Sequence, residues 1–199
     1  ASVNGLLFAP KNSTALAASQ TWKKVPNIAN KGKDNLEITN LLSLGNGKLL
    51  ITLPIAETTF CDVYTFDGEN WTNIFENEYI KALRLSEGKL IKIAYRSLNI
   101  YDVNNLVNGR EIYHLSDEWN PVHGIHLDVN DAIVDSQDLW LAHQTKGLIR
   151  LKDYRNGTHN KSEHFPDGPK SNHIYSITSS EDGKIYIAPG GKTIQNAPH

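Results

Sequence analysis

A hairpin signal recurs four times along this chain at a spacing of roughly 40 to 50 residues. Each copy contains an apolar run, a turn rich in Gly, Asp and Ser, and a second apolar run. The first apolar residues after the turns are Leu49, Leu90, Leu139 and Ile185, so the copies are 41, 49 and 46 residues apart. Self-similarity at this period, with a β-hairpin as the repeated unit, is the sequence signature of a β-propeller, in which each copy forms one blade.

The segments that flank the turns favour four strands in each copy. Before the turns, apolar and polar residues mostly alternate, as in strands that bury one face, and after the turns the runs are more continuously apolar. A third strand is predicted at residues 63–66, 98–101 and 147–151, and a fourth is clearest at residues 69–74. The chain is therefore predicted to be all-β, with four-stranded antiparallel blades.

The two ends of the chain resemble complementary halves of one further blade. Residues 5–8 and 20–25 resemble a third and a fourth strand, whereas residues 172–178 and 185–188 resemble a first and a second strand. We therefore predict a single β-propeller domain or propeller fragment over residues 1–199, with three full blades and two half-blades. Two arrangements are open: a ring closed within this chain, which would remove open sheet edges, or part of a larger ring.

Charge and composition argue against several classes of function. The formal net charge is −2, whereas nucleic-acid binding requires a clustered basic face. No run approaches the ~18 apolar residues of a transmembrane helix, so this segment is not expected to span a membrane. Cys61 is the single cysteine, so no disulfide framework is expected, and its thiol is predicted to behave as a small buried hydrophobe.

The motifs that accompany catalysis are weak, and the chain is expected not to be an enzyme. Residues 191–193 resemble the end of a phosphate-binding loop, but Tyr186 stands where that motif needs glycine. His123 and His126 near Asp128 could hold a divalent metal, although a loop with scattered histidines is the favoured interpretation. A pair of carboxylates that face each other, as in glycosidases, stays an open alternative, because such a pair needs no fixed spacing in the sequence. We predict no catalytic residue, no cofactor and no metal site.

Recognition on a rigid β-scaffold usually falls to loops. The longest irregular segments are predicted at residues 52–60, 102–111, 116–130 and 152–170. Trp119 is the one tryptophan outside a repeat position, and we predict that Trp119, His123 and Tyr154 contribute to a ligand-binding or partner surface. The other tryptophans are predicted to be structural, and Trp140 is predicted to pack between adjacent blades or at a strand crossing.

Residues 138–151 resemble the two-component regulator propeller repeat, in which an apolar-Trp-apolar-small strand is followed by a Gly-Leu strand. Residues 172–187 are similar to the same repeat, with tyrosine in the place of the tryptophan. Residues 168–172 and 188–191, together with residues 66–71, resemble the N-terminal β-propeller region of PorZ-like proteins, which are cell-surface components of the type IX secretion system.

The resemblance implies an extracytoplasmic bacterial propeller, periplasmic or at the cell surface, without catalytic residues. It implies a scaffold or interaction module that binds a protein partner or a glycan at the cell envelope, and it assigns no site residue. The alternative is the carbohydrate-sensing periplasmic region of a hybrid two-component receptor. A polysaccharide lyase or glycosidase built on a propeller is the third and least favoured interpretation.

Overall fold

The structure is a computed structural model that describes residues 5–32, 36–94, 97–106, 110–111, 129–156, 160–164 and 173–189. Most of the regular structure in these residues is β-strand. The strands are β1 (Leu7–Phe8), β2 (Lys23–Lys24), β3 (Asn40–Gly45), β4 (Lys48–Pro54), β5 (Cys61–Phe66), β6 (Trp71–Glu78), β7 (Ile80–Ser86), β8 (Lys89–Ala94), β9 (Leu98–Asp102), β10 (Arg110–Glu111), β11 (Val129–Asp135), β12 (Asp138–His143), β13 (Gly147–Lys152), β14 (Asn160–His164), β15 (Ile174–Ser179) and β16 (Ile185–Pro189).

Short 3₁₀ helices occur at Ser19–Thr21, Ile28–Asn30 and Tyr154–Asn156. None of the helices in the described ranges is long and apolar enough to cross a membrane.

Three four-stranded antiparallel sheets follow one another along the chain, formed by β3–β6, β7–β10 and β11–β14. In each of them, strands that are consecutive in sequence are also neighbours in the sheet. Two-stranded antiparallel sheets are formed by β1 with β2 and by β15 with β16. This topology confirms an all-β fold of small antiparallel sheets with a repeated four-stranded unit. The described strands form no closed ring, so the full arrangement of the blades stays a prediction.

The chain divides into two compact units, Ala1–Tyr79 and Ile80–His199. The first unit holds β1 to β6, and the second holds β7 to β16. The single propeller domain over residues 1–199 stays a prediction.

Tight turns set the register of two hairpins. Asn46 and Gly47, with φ angles of 50° and 76°, join β3 to β4, and Glu87 and Gly88, at 47° and 69°, join β7 to β8. Two successive positive φ angles are typical of the type I′ turn, whose twist matches that of paired strands. Glycine adopts this backbone region without a steric penalty, which explains its place in both turns.

The core of the first unit joins the segment around β1 and β2 to the first four-stranded sheet. Its buried side chains are Leu6, Val25, Ile28, Ala29, Ile38, Ile51, Leu53, Tyr64 and Trp71. The ring of Trp71 stacks on Phe66 with 4.6 Å between ring centroids. This tryptophan is therefore structural, as its repeat position predicts.

The core of the second unit lies between successive sheets. One cluster packs side chains of β8 and β9 against β11, β12 and β13. A second cluster packs β11 and β12 against β15, and the partly buried Trp140, Ile185 and Ile187 pack against this cluster. Trp140 therefore packs between the third four-stranded sheet and the two-stranded sheet that follows it, which confirms the prediction from its repeat position.

A buried carboxylate ties together the first strands of three sheets in the second unit. Asp131 on β11 is 0% exposed. It accepts hydrogen bonds from Arg84 Nε on β7 at 2.6 Å, from Ser176 Oγ on β15 at 2.7 Å and from the backbone N–H of Ile177 at 3.1 Å. Burying a carboxylate is costly unless it is paired and hydrogen-bonded, and these donors meet that requirement.

Candidate binding site at one edge of the first four-stranded sheet

Loops and exposed aromatic rings come together at one edge of the sheet formed by β3–β6. Because neighbouring strands are antiparallel, the start of β3, the end of β4, the start of β5 and the end of β6 share this edge. The pairings of Pro54 with Cys61 and of Cys61 with Glu78 mark it. We call residues 36–39, 54–61 and 78–79 the loop edge.

A hollow of about 340 Å³ opens at the loop edge. Five of its eight lining residues are apolar, and two are glutamates. The lining residues are Leu36, Glu37, Leu53, Pro54, Ile55, Ala56, Glu57 and Thr58. The volume lies at the small end of the range of ~300–1,000 Å³ that is usual for ligand pockets. It suits a small group or one side chain of a larger partner.

Thr58 holds the loop between β4 and β5 in a fixed conformation. Its Oγ1 donates to the Ile55 carbonyl at 2.9 Å and accepts from the Phe60 N–H at 3.1 Å. The Ile55 N–H donates to the Phe60 carbonyl at 2.9 Å, which closes the loop. Between them, Glu57 has a φ of 62°, an uncommon backbone region for a residue other than glycine. A loop ordered in this way loses less conformational entropy when it binds a ligand.

Phe60 and Tyr79 form an exposed aromatic pair beside this loop. Their ring centroids are 6.4 Å apart with an interplanar angle of 81°, an edge-to-face arrangement. The side chains are 40% and 37% exposed, respectively. Aromatic side chains offer a large contact area for few rotatable bonds, which is why they are frequent at binding surfaces.

The loop edge is acidic. Residues 36–79 contain seven Asp and Glu side chains and one lysine, a net formal charge of −6, whereas the whole chain carries −2. Five of these acids lie on the loop edge or beside it, namely Glu37, Glu57, Asp62, Glu76 and Glu78. Lys31 pairs with Asp62 at 3.7 Å. In the parts of the chain that the structure describes, neither Glu37 nor Glu57 takes part in an ion pair, so their charge is available to a ligand.

The residues predicted for a binding surface are only in part described. Trp119 and His123 lie outside the described residues, and their role stays a prediction. Tyr154 lies in a 3₁₀ helix and is 2% exposed, within the core cluster between the second and third four-stranded sheets. The guanidinium carbon of Arg155 lies 5.3 Å from its ring centroid. Tyr154 thus packs in the interior, and its contribution to a contact surface stays a prediction.

The sequence did not indicate the aromatic pair of the loop edge. It predicts an irregular segment over residues 52–60, whereas β4 continues to Pro54 and leaves residues 55–60 as the loop. Phe60 and Tyr79 meet because Cys61 pairs with Glu78, in a register that shifts between Cys61 and Val63. Cys61 is half-buried rather than buried, and its thiol donates to the Glu78 carbonyl at 3.6 Å.

A second polar cluster lies on the third four-stranded sheet. Arg150 donates to Asp138 Oδ2 through Nε at 2.7 Å and also through Nη2, and the Asp153 N–H donates to Oδ1 at 3.1 Å. Burial alone would raise the pKa of the Asp138 carboxyl, but the Arg150 guanidinium and the Asp153 N–H outweigh it and lower that pKa. The guanidinium also stacks over Trp140, 5.1 Å from its ring. The Asp138 carboxylate is thus held by internal donors, and its role is structural.

No model of a known protein family matches the chain, and no curated protein matches it. Solved structures do match. PorZ, an essential surface component of the type IX secretion system of Porphyromonas gingivalis, superposes with a TM-score of 0.58 at 16% identity, over 85% of this chain and 26% of PorZ. An extracellular domain assigned to a hybrid two-component system of B. thetaiotaomicron superposes with a TM-score of 0.54 at 16% identity, over 87% of this chain and 22% of that domain. A second structure, assigned to a one-component system of that organism, superposes with a TM-score of 0.50 at 18% identity, over 79% of this chain and 19% of that structure.

At these identities the likeness shows the fold alone. The neighbours are propeller-like, and the exact arrangement of the blades in this chain stays a prediction. This chain spans about a quarter or less of the length of these structures.

Proposed function

We propose that this chain is a non-enzymatic, extracytoplasmic interaction module of a PorZ-like or regulator-propeller protein. It binds a protein partner or a glycan at the cell envelope through loops at the ends of its strands. The observation that carries this proposal is the loop edge, where an ordered loop, a hollow and an exposed aromatic pair are presented by one sheet. Binding residues are commonly found on loops that a rigid scaffold positions.

The solved structures support the cellular setting of the proposal. PorZ is a bacterial surface component, and the B. thetaiotaomicron neighbour is an extracellular domain. A periplasmic or cell-surface location for this chain follows from that likeness as a proposal. Within it, β1 with β2 and β15 with β16 are half-blades of a propeller that is either closed or part of a larger ring.

The use of the buried Asp131 and the partly buried Asp138 supports a non-catalytic module. Asp131 and Asp138 both accept several hydrogen bonds from the protein itself. A general acid or base, by contrast, must lie within hydrogen-bond reach of a substrate. Among the described carboxylates that do face solvent, Glu37 and Glu57 lie on the loop edge, where they can serve as contact groups.

A binding experiment with a built-in test for turnover examines the proposal. The purified chain is titrated with a panel of cell-envelope glycans and peptides, and each bound ligand is then checked for cleavage products. We expect binding without turnover, and Phe60→Ala should weaken it. Phe8→Ala is the matched control, because Phe8 is a comparably exposed phenylalanine on β1. Turnover of a bound polysaccharide would refute the non-enzymatic part, and equal effects of the two variants would refute this site.

The carbohydrate-sensing region of a hybrid two-component receptor is the second candidate. The pair Phe60 and Tyr79 favours it, since sugar rings can stack on exposed aromatic faces while carboxylates such as Glu57 accept hydrogen bonds from hydroxyls. The extracellular two-component neighbour supports it as well. The discriminating experiment is to sequence the complete gene and to measure kinase output with and without the glycan that binds. A gene without a kinase domain would eliminate this candidate.

A further inference from the structure

We infer that the loop edge binds a basic segment of a partner protein, with the aliphatic stem of an arginine or lysine in the hollow and its charged group against the carboxylates and aromatic rings. This inference rests on the proposed function, because it names the partner chemistry of the same site. It follows from three properties of the loop edge: its charge, its apolar wall and its exposed rings.

Charge complementarity selects a cation. The hollow is lined by Glu37 and Glu57, and Asp62, Glu76 and Glu78 lie on the same edge or beside it, with Lys31 paired to Asp62. Complementary potentials accelerate encounter and suppress partners of the wrong sign. A neutral ligand would leave this charge uncompensated, and an acidic ligand would be repelled by it.

The apolar wall selects a cation on a long hydrocarbon stem. Leu36, Leu53 and Ile55 line the hollow that the two glutamates border. Arginine and lysine bury their methylene groups along apolar surface while the charged head stays at a polar rim. A compact ion such as ammonium or a metal would leave these aliphatic groups in contact with water.

The aromatic pair adds a further attraction for the charged head. Phe60 and Tyr79 are both exposed beside the loop, and a guanidinium placed over an aromatic face gains roughly 0.5–1 kcal/mol at an exposed site. Arginine fits better than lysine, because its planar group can stack on a ring and donate two parallel hydrogen bonds to one carboxylate.

The same sheet already holds a cation of this kind. Lys31 Nζ lies 5.6 Å from the centroid of the Tyr64 ring and 3.7 Å from Asp62 Oδ2. The hydrogen bond with Tyr64 first, and Asp62 in addition, raise the pKa of Lys31 above its ordinary value. A tyrosine and a carboxylate therefore hold a cation beside this sheet, and the loop edge presents groups of these two kinds, Tyr79 and the glutamates Glu37 and Glu57, to solvent.

Fluorescence anisotropy with two matched peptides tests the inference. One short labelled peptide alternates arginine, leucine and glycine, and the other replaces each arginine by glutamine. We expect the arginine peptide to bind roughly five- to tenfold tighter at low salt. This preference should shrink at about 0.5 M salt, where screening acts over a few ångströms.

Single substitutions test which glutamate charges contribute to binding of the arginine peptide. Glu37→Gln and Glu57→Gln should each weaken the arginine peptide about two- to fivefold and leave the glutamine peptide unchanged. Glu69→Gln is the matched control, since Glu69 is an exposed glutamate beyond β5 at the opposite end of the sheet. Thermal melting of each variant checks that the fold is retained.

Equal affinity for the two peptides, or no effect of the double variant Glu37→Gln/Glu57→Gln, would overturn the inference. If a glycan or neutral peptide binds and Phe60→Ala still weakens it, the proposed function survives while the inference fails. If Phe60→Ala affects no ligand at all, both fail. These outcomes separate the partner chemistry from the location of the site.

Discussion

Two pairs of carboxylates, one pair in each compact unit, are used in opposite ways. In the second unit, Asp131 and Asp138 are enclosed by donors from neighbouring strands and hold the sheets in place. In the first unit, Glu37 and Glu57 line an open hollow without an ion-pair partner among the described residues. The difference shows which charges build the fold and which are available for recognition.

The contrast extends to the aromatic residues. Trp140 occupies a repeat position and packs at an interface between sheets, whereas Phe60 and Tyr79 stand outside the repeated strands and are exposed. Repeat positions are constrained by packing, and the irregular positions between them are free to carry contacts. Substitutions in the two regions should therefore separate stability from binding.

The largest effect is expected from Asp131→Asn. The substitution removes the charge opposite Arg84 and points an amide donor toward the donors of Ser176 or Ile177. Arg84 is partly exposed, so the main cost comes from buried donors left without an acceptor, at about 1–3 kcal/mol for each donor and about 2–6 kcal/mol for two of them. We expect chemical denaturation to show a loss of this size, whereas Glu57→Gln should leave the free energy of unfolding unchanged. A loss below about 1 kcal/mol would contradict the distinction between carboxylates that hold the fold together, such as Asp131, and carboxylates that are exposed at the hollow, such as Glu57.

Trp140→Ala should cause the second-largest loss of folding stability. Truncation of a large buried aromatic costs ~3–5 kcal/mol, and the half-buried position of Trp140 places the expected value near the lower limit. Its packing against the buried cluster that contains Ile177 and the stacking of the Arg150 guanidinium on its ring would both be lost. Trp22→Ala provides the control, because Trp22 is 41% exposed. Melting temperatures that fall equally in both variants would contradict the packing role assigned to Trp140.

A smaller, pH-dependent effect is expected at Asp138. Its pKa is lowered in the folded protein, so its stabilising contribution is complete above the unfolded-state pKa of about 3.9 and is lost as pH falls through the folded-state pKa. The stability difference between the wild type and Asp138→Asn should therefore be constant near neutral pH and shrink below about pH 4. Urea denaturation at a series of pH values measures it. A difference that grows on acidification would reverse the assigned direction.

Much of the fold could be predicted from the sequence because its signals are local. The turn residues Asn46 and Gly47 accept positive φ, and the apolar period identifies the inner strands. Strand β14 was missed inside the predicted irregular segment 152–170, because its residues Asn160–His164 are mostly polar. It forms through backbone pairing with β13. The alternation of apolar and polar side chains, by which strands are predicted from sequence, does not reveal such pairing.

The site could be predicted less well because it depends on how distant segments meet. The Tyr154 N–H donates to the Gln137 carbonyl at 3.1 Å, and this contact returns a loop aromatic to the core. Phe60 and Tyr79 become a pair only through the shifted register of β5 and β6. Sequence spacing contains neither fact. The sequence does show that residues 36–79 are acidic. That several of these acids lie at the loop edge becomes clear only when the strand order is known.

The smallest expected effect on stability, and the sharpest test of the contrast, belongs to the loop edge. Phe60→Ala and Glu57→Gln remove exposed groups, so each should change the free energy of unfolding by no more than about 0.5 kcal/mol. Thr58→Val is the informative companion, because it removes the hydroxyl that orders the loop while keeping its shape. We expect it to weaken ligand binding without a comparable loss of stability, since the unbound loop would then have more conformations to lose. Calorimetric titration alongside thermal melting measures both quantities. Parallel losses of binding and stability would instead make the loop edge part of the structural framework.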